Sequence, residues 1–262
     1  EIPTAICQNA TAYLNAGGTA TVSASQINNG SSDACGLASL ALNNGSWSCA
    51  NVGSNGVVLT VSDNNGNTNT CSATVTVQDT IKPVAVCQNI TAYLSAGGTV
   101  TVTASQINNG SSDACGLASI TLNNGIFSCA NVGSNAVVLT VTDINANTST
   151  CSATVTVQDT IKPTAICQNI TAYLNAGGTA TVVASQINNG SSDACGLASL
   201  TLNNGSWSCA NVGSNGVVLT VTDVNANTST CSATVMVLDT IKPIAICQNI
   251  TAYLNAGGTA TV

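Results

Sequence analysis

Cysteine is the residue type here most able to do chemistry: the 262-residue chain holds thirteen, at fixed intervals. Cys7, Cys87, Cys167 and Cys247 recur every 80 residues, as do Cys35, Cys115 and Cys195, then Cys49, Cys129 and Cys209, then Cys71, Cys151 and Cys231. Four thiols in constant register can form disulfides or hold a metal. Thiolate metal sites favour CxxC pairs, often with histidine, and the chain has neither. Structural disulfides, made in an oxidising compartment, are the better reading. Four cysteines per unit allow three connectivities. Cys35 follows one end loop and Cys71 follows another expected at the same end of the unit, which predicts Cys35–Cys71 and, by elimination, Cys7–Cys49. The same scheme gives Cys115–Cys151 with Cys87–Cys129, and Cys195–Cys231 with Cys167–Cys209. Cys247 is then without a partner.

Carboxylates are the second group. Each unit holds three aspartates, Asp113, Asp143 and Asp159 in the second. Asp113 and Asp143 are expected in loops at one end of the unit, where Asp79 and Lys82 arrive from the unit before. Asn145, in the run Asp143-Ile144-Asn145-Ala146-Asn147, adds an oxygen. Asp159, Asp193 and Asp223 repeat the arrangement. Calcium takes several such oxygens, so a junction cation is one reading. The other is that Asp and Asn cap turns through their own backbone. No other cofactor is indicated.

The remaining composition excludes more than it assigns. General acid–base catalysis usually needs histidine or a tuned carboxylate. With no histidine, and nothing to activate its many serines and threonines, the chain reads as a non-enzyme. Charged residues make up 5%, with three Lys and Arg together and a net charge of −7. Nucleic-acid binding needs cationic side chains to release counterions, and polybasic lipid attachment needs them too. A membrane span needs about 20 apolar residues in a row, and no such run exists. No signal peptide opens the chain, and its fourth unit stops early, so a window on a longer mature protein is the expectation. All three lysines precede proline (Lys82, Lys162, Lys242), a bond that trypsin-like proteases cut poorly.

These residues must be positioned by short strands. In the second unit the β-rich runs are Val84–Leu94, Thr99–Ala104, Leu117–Leu122, Phe127–Cys129, Val137–Thr142 and Cys151–Gln158, separated by Gly, Asn, Ser and Asp turns. Period-two alternation without a helical period predicts a sandwich. The fold class is therefore all-β: tandem immunoglobulin-like antiparallel β-sandwich domains of 80 residues each, arranged as a rod. The expected repeats are 1–82, 83–162 and 163–242, with 243–262 supplying the first two strands of a truncated fourth. The Asp159–Pro163 linker contains proline and no glycine, which predicts a short, stiff joint. Trp47, Phe127 and Trp207 share one position beside Cys49, Cys129 and Cys209. Exchange of Trp for Phe suits a core plug better than an exposed ring stacked on sugar.

Each unit resembles the hyalin-repeat (HYR-like) immunoglobulin-like modules of giant secreted surface proteins of Bacteroidota. The matching stretches are AxCQNIT at Ala85–Thr91, SSDACGLAS at Ser111–Ser119, SCANVGSN at Ser128–Asn135, VVLTVTDxNxN at Val137–Asn147 and CSATVTVQDTIKP at Cys151–Pro163. The resemblance covers the whole chain. It implies export, commonly by the type IX route, and extracellular or cell-surface roles such as adhesion and gliding. Scarce charge departs from that family and favours close packing of chains. Thr80, Thr160 and Thr240, each in Asp-Thr-Ile, resemble the O-glycosylation site of Bacteroidota glycoproteins. Asn9, Asn89, Asn169 and Asn249 open Asn-x-Thr sequons, which matter only in a host with N-linked machinery. The function expected is a structural stalk or filament segment of an extracellular bacterial adhesin or appendage. The alternative is a multivalent carbohydrate- or protein-binding module of a cell-surface protein. The expected partner is the chain itself, laterally or end to end, with surface glycans or host or prey cells as further partners.

Overall fold

Alternation in two long segments builds each sandwich. Val57, Leu59 and Val61 are buried on one strand, and Ala73, Val75 and Val77 on the next, while the residues between them face outward. The structure, a computed structural model, describes residues 1–262. The first repeat runs β1 (Ala10–Tyr13), β2 (Thr19–Thr21), one helical turn α1 (Ala24–Ile27), β3 (Leu37–Leu42), β4 (Ser46–Ser48), β5 (Gly53–Asp63) and β6 (Thr68–Gln78). One sheet has the order β1-β6-β5-β3; β2 and β4 pair separately. Between the layers lie Leu14, Val22, Ile27 and Trp47 with the six alternating residues above. Burial of each Val, Leu or Ile side chain among them contributes about 1.5–3 kcal/mol. The second and third repeats have the same sheet orders. Phe127 and Trp207 are buried at the Trp47 position. The chain divides into two compact units, 1–159 with the first two repeats, and 160–262 with the third.

The sheet differs from the expected antiparallel one in one respect that decides the disulfides: β1 lies parallel to β6, Ala10 opposite Val75. Extended back along the chain, that register sets Cys7 beside Cys71, which lies inside β6. Cys7 bonds Cys71, with Cα atoms 5.7 Å apart, and Cys87–Cys151 and Cys167–Cys231 repeat the bond. The expected Cys35–Cys71 and Cys7–Cys49 pairs, with their repeats Cys115–Cys151, Cys87–Cys129, Cys195–Cys231 and Cys167–Cys209, do not form. Cys49 instead crosses to Cys115 of the next repeat, Cα to Cα 5.2 Å. Cys129 and Cys195 are disulfide-bonded as well. Cys35 and Cys209, expected in disulfides, are exposed free thiols, as is Cys247.

Three smaller differences have local causes. Residues 24–27 form a helical turn at and just beyond the end of an expected strand, because Gln26 Oε1 accepts the Ser23 N–H at 2.8 Å and closes it. The long central strand of the second repeat begins at Gly133, four residues before Val137. Residues 243–262 contain no strand, since β1 and β2 are held by β6 and β4, which follow them within each repeat. The sequon asparagines have a structural duty: Asn9, Asn89 and Asn169 each accept a backbone N–H of the β6-type strand through Oδ1, at 2.8–2.9 Å.

The β5–β6 turn yields a stability prediction. Gly66 sits there with φ +84°, whereas Ala146 and Ala226 hold φ +69° at the same position. A left-handed conformation costs a non-glycine residue about 1–2 kcal/mol, and glycine's greater freedom when unfolded returns part of that. Ala146→Gly should raise stability by about 0.5–1 kcal/mol, read from the urea midpoint of the second repeat.

Candidate functional site: the junction between repeats

Several of the chain's scarce charged residues gather where the first repeat meets the second. β6 ends at Gln78, and Asp79-Thr80-Ile81-Lys82-Pro83 carries the chain across. Asp79 and Pro83 are buried, and Lys82 is exposed. Asp79 folds back on its own linker, its Oδ1 accepting the Ile81 N–H at 3.0 Å. The linker is held from the other side by Asn147, whose Nδ2 donates to the Asp79 carbonyl at 3.2 Å. Asn67 donates to the Glu1 carbonyl at 3.1 Å in the same way.

Of the cation ligands expected at this junction, the fold brings two together. Asp79 and Asp113 each offer a carboxylate oxygen, and with the Cys115 sulfur these atoms lie within 4.8 Å of one another. Asp113 Oδ1 accepts the Cys115 N–H at 2.7 Å. Asp79 Oδ2 is buried without a hydrogen-bond partner. Asp143 is not part of this group. It is 1% exposed and spent within its own turn, Oδ1 accepting from the Asn145 and Asn147 N–H groups and Oδ2 from Asn147 Nδ2, each within 2.9 Å. Asp63 and Asp223 are held alike. Asp193 accepts the Cys195 N–H at 2.7 Å, and Asp159 is buried. Turn chemistry therefore accounts for Asp143 and Asp223, and an unsatisfied carboxylate oxygen remains at Asp79. A calcium ion wants six to eight oxygens. Asp79 and Asp113 supply an anchor for one, and waters or backbone carbonyls must supply the rest.

Asp63 shows what the turn does to acidity. The Asn67 side chain, then the Asn67 and Asn65 backbone N–H groups, hold its carboxyl below the usual aspartate value, with burial opposing them. A lowered folded value means the stabilisation is complete above the unfolded value of about 4 and fades as pH falls through the folded one. Wild type should therefore lose stability on acidification below about pH 4. Asp63→Asn should start from a lower midpoint and lose less, as thermal melts across that range will show.

The disulfide between repeats lies beside this acidic pair. Cys49 opens a 3-10 turn, Cys49–Asn51, after β4, and its sulfur rests 3.6 Å from the Gly18 carbonyl. A Cβ on Gly18, at φ +73°, would come within 2.7 Å of that sulfur and 3.3 Å of the Ala114 Cβ. Glycine is required there for both the turn and the close approach. A shallow groove of about 320 Å³ runs along the junction, lined by Val52, Gly53, Gln78, Asp79, Thr80 and Asn145 among others. Thr80 is exposed in it, and Thr160 and Thr240 are exposed too. The crossing disulfide was beyond sequence reasoning that sought each cysteine's partner within its own unit.

No family model matches the chain, and no curated protein matches it. Several solved structures are similar. Extracellular cadherin domains 1–4 of protocadherin gamma B7 are 14% identical with a TM-score of 0.31, over 73% of this chain and 59% of that one. Sidekick-1 immunoglobulin domains 1–5 are 11% identical with a TM-score of 0.36, over 91% of this chain and 59% of that one. Mouse clustered PcdhgC3 EC1–3 is 14% identical with a TM-score of 0.29, over 75% of this chain and 82% of that one. The chain thus spans less than two thirds of the length of the first two.

Proposed function

We propose that the chain is a structural segment of an extracellular protein, in which sandwich repeats are fastened covalently to their neighbours. The observation that carries this is the Cys49–Cys115 bond, which ties the end of one core to the start of the next beside the peptide linker. Ten of thirteen cysteines are disulfide-bonded, which supports an oxidising, exported location. The HYR-like resemblance supports a secreted or surface protein of Bacteroidota, exported by the type IX route and acting as a stalk or filament in adhesion. Exposure of Thr80, Thr160 and Thr240 supports O-glycosylation there. Scarce charge, with its weak repulsion between copies, supports self-association. Electron microscopy of the native material tests the reading. Fibres with a regular axial repeat are expected; dispersed chains that bind a glycan array would instead establish the carbohydrate-binding alternative.

A cation at the junction is a second reading, favoured by the buried, unpartnered Asp79 Oδ2 beside Asp113. Two close carboxylates disfavour each other's charge. A bound calcium ion would relieve this, and so would an amide able to donate to Asp113. Calcium should therefore raise the melting midpoint of wild type, with a stabilisation of about 2.7 kcal/mol at one hundred times Kd. Asp79→Asn should raise the midpoint in chelator and abolish the response to calcium. A calcium-independent wild type, with Asp79→Asn still stabilising, would leave repulsion alone at this site.

A further inference from the structure

We infer that the free thiols of Cys35 and Cys209 are the two complementary halves of a further inter-repeat disulfide, through which this chain is covalently joined end to end to other repeats of its own kind. The inference deepens the structural reading above and rests on it only for the oxidising environment. The Cys49–Cys115 bond joins two positions: the first residue of the 3-10 turn after β4, and the cysteine of the Asp-Ala-Cys-Gly loop in the next repeat. Cys209 occupies the first position in the third repeat and Cys35 the second position in the first repeat. Both are free and exposed.

Each half is already built as its bonded counterpart is. Cys209 opens the 3-10 turn Cys209–Asn211, closed by the Ser208 N–H on Asn211 Oδ1 at 2.9 Å, as Ser48 closes on Asn51 at 3.0 Å. Its sulfur lies 3.7 Å from the Gly178 carbonyl, matching Cys49 and Gly18 at 3.6 Å. A Cβ on Gly178 would come within 2.8 Å of that sulfur, against 2.7 Å at Gly18. On the other half, Asp33 Oδ1 accepts the Cys35 N–H at 2.8 Å, as Asp113 Oδ1 accepts that of Cys115 at 2.7 Å. Gly36 and Gly116 follow at φ +92° and +99°. The bonded pair and the free pair thus share their turns, their hydrogen bonds and their glycines.

The bond forms by thiol–disulfide exchange. The Cys209 thiolate attacks a small disulfide oxidant such as glutathione disulfide, releasing one glutathione thiolate and forming a mixed disulfide. The thiolate at the Cys35 position of the incoming repeat then attacks the Cys209 sulfur and releases the second glutathione. Two protein thiols lose two protons and two electrons, and one glutathione disulfide becomes two glutathiones. The incoming repeat is either the next one in the same polypeptide or one from a second chain, and both present the same loop.

Peptide mapping of the native protein under non-reducing conditions, after alkylation of free thiols, tests this first. Cys209 is expected bonded to a cysteine of the Asp-Ala-Cys-Gly loop of another repeat, and the linked peptide's sequence tells the same polypeptide from a second one. Cys209 recovered alkylated, or bonded elsewhere, while Cys49–Cys115 is intact overturns the inference. A reduced Cys49–Cys115 in that map would count instead against the exported location. The second test uses the 262-residue chain in glutathione redox buffer, with Cys247→Ser throughout. Cys35→Ser and Cys209→Ser chains should each stay monomeric, and their equimolar mixture should give a disulfide-linked dimer, several-fold over either alone, joined Cys209 to Cys35. A mixture that dimerises no more than the single variants overturns the complementarity.

Discussion

Cys7→Ser with Cys71→Ser is expected to destabilise the first repeat by about 4 kcal/mol. The bond closes a sequence separation of 64 residues, and on the chain-entropy model the freed loop returns that much conformational freedom to the unfolded state. Net stability of a small domain is only about 5–15 kcal/mol, and a unit of this size buries too little surface to be far from the lower end. Native contacts add to the loss: both sulfurs pack against the Val57–Val77 core, and two hydroxyls would replace them there. The ladder from Ala10 to Tyr13 is short, so the disulfide is the main fastening of β1 to β6 at that end. The probe is Trp47, buried in the first core, read in a Trp207→Phe background because Trp207 is the chain's other tryptophan. The Trp47 transition should move to much lower urea while the third repeat, followed by Trp207 in a Trp47→Phe background, stays in place. An unmoved Trp47 midpoint would show that β1 is held by its hydrogen bonds and packing alone.

The sandwich was legible because its evidence is local. Val57, Leu59 and Val61, or Val137, Leu139 and Val141, declare their inward faces by alternation, and Asn-Asn-Gly and Ala-Gly-Gly declare the turns between strands. The constant cysteine spacing declared the repeat. Pairing was not legible, for two physical reasons. The direction of β1 against β6 is a tertiary choice that leaves no trace in either strand's alternation, and it alone decides whether Cys7 or Cys35 meets Cys71. The count of three connectivities assumed that each unit closes on itself, whereas Cys49 finds Cys115 across the junction. Turn chemistry was half legible. Asp143-Ile144-Asn145-Ala146-Asn147 reads equally as a ligand run or a self-capped turn, and only the direction of its N–H groups onto Asp143 decides it. For Asp79 and Asp113 the sequence order was sufficient: one closes a repeat, the other follows β2 of the next, and the fold sets them side by side.

Cys49→Ser with Cys115→Ser should separate what the first two repeats now do together. Each core keeps its own strands and its own β1–β6 disulfide, so both repeats are expected to fold. What the crossing bond contributes is coupling. When one repeat unfolds, its chain stays tethered at two points to the folded neighbour, through the linker at Asp79–Pro83 and through the sulfur bridge. The bridge spans a separation of 66 across both repeats; with one repeat unfolded it closes the shorter segment between that repeat's cysteine and the linker, which still removes entropy worth about 4 kcal/mol on the same model and opposes the unfolding of either partner alone. Without the bridge, the repeats keep the linker and local contacts such as the Asn147 hydrogen bond to the Asp79 carbonyl, worth about 0.5–1.5 kcal/mol. Trp47 reports on the first core. Phe127→Trp, which installs the residue that the other two repeats carry at that position, reports on the second when Trp47 and Trp207 are phenylalanine. With the bridge present, the two probes should show one shared midpoint; in the double variant the midpoints should part, each moving to lower urea. Both residues are replaced so that no lone Cys49 thiol remains to bond the free Cys35. Coincident midpoints in the double variant would mean that the joint is rigid through its linker and packing, and that the bridge fastens repeats without coupling them.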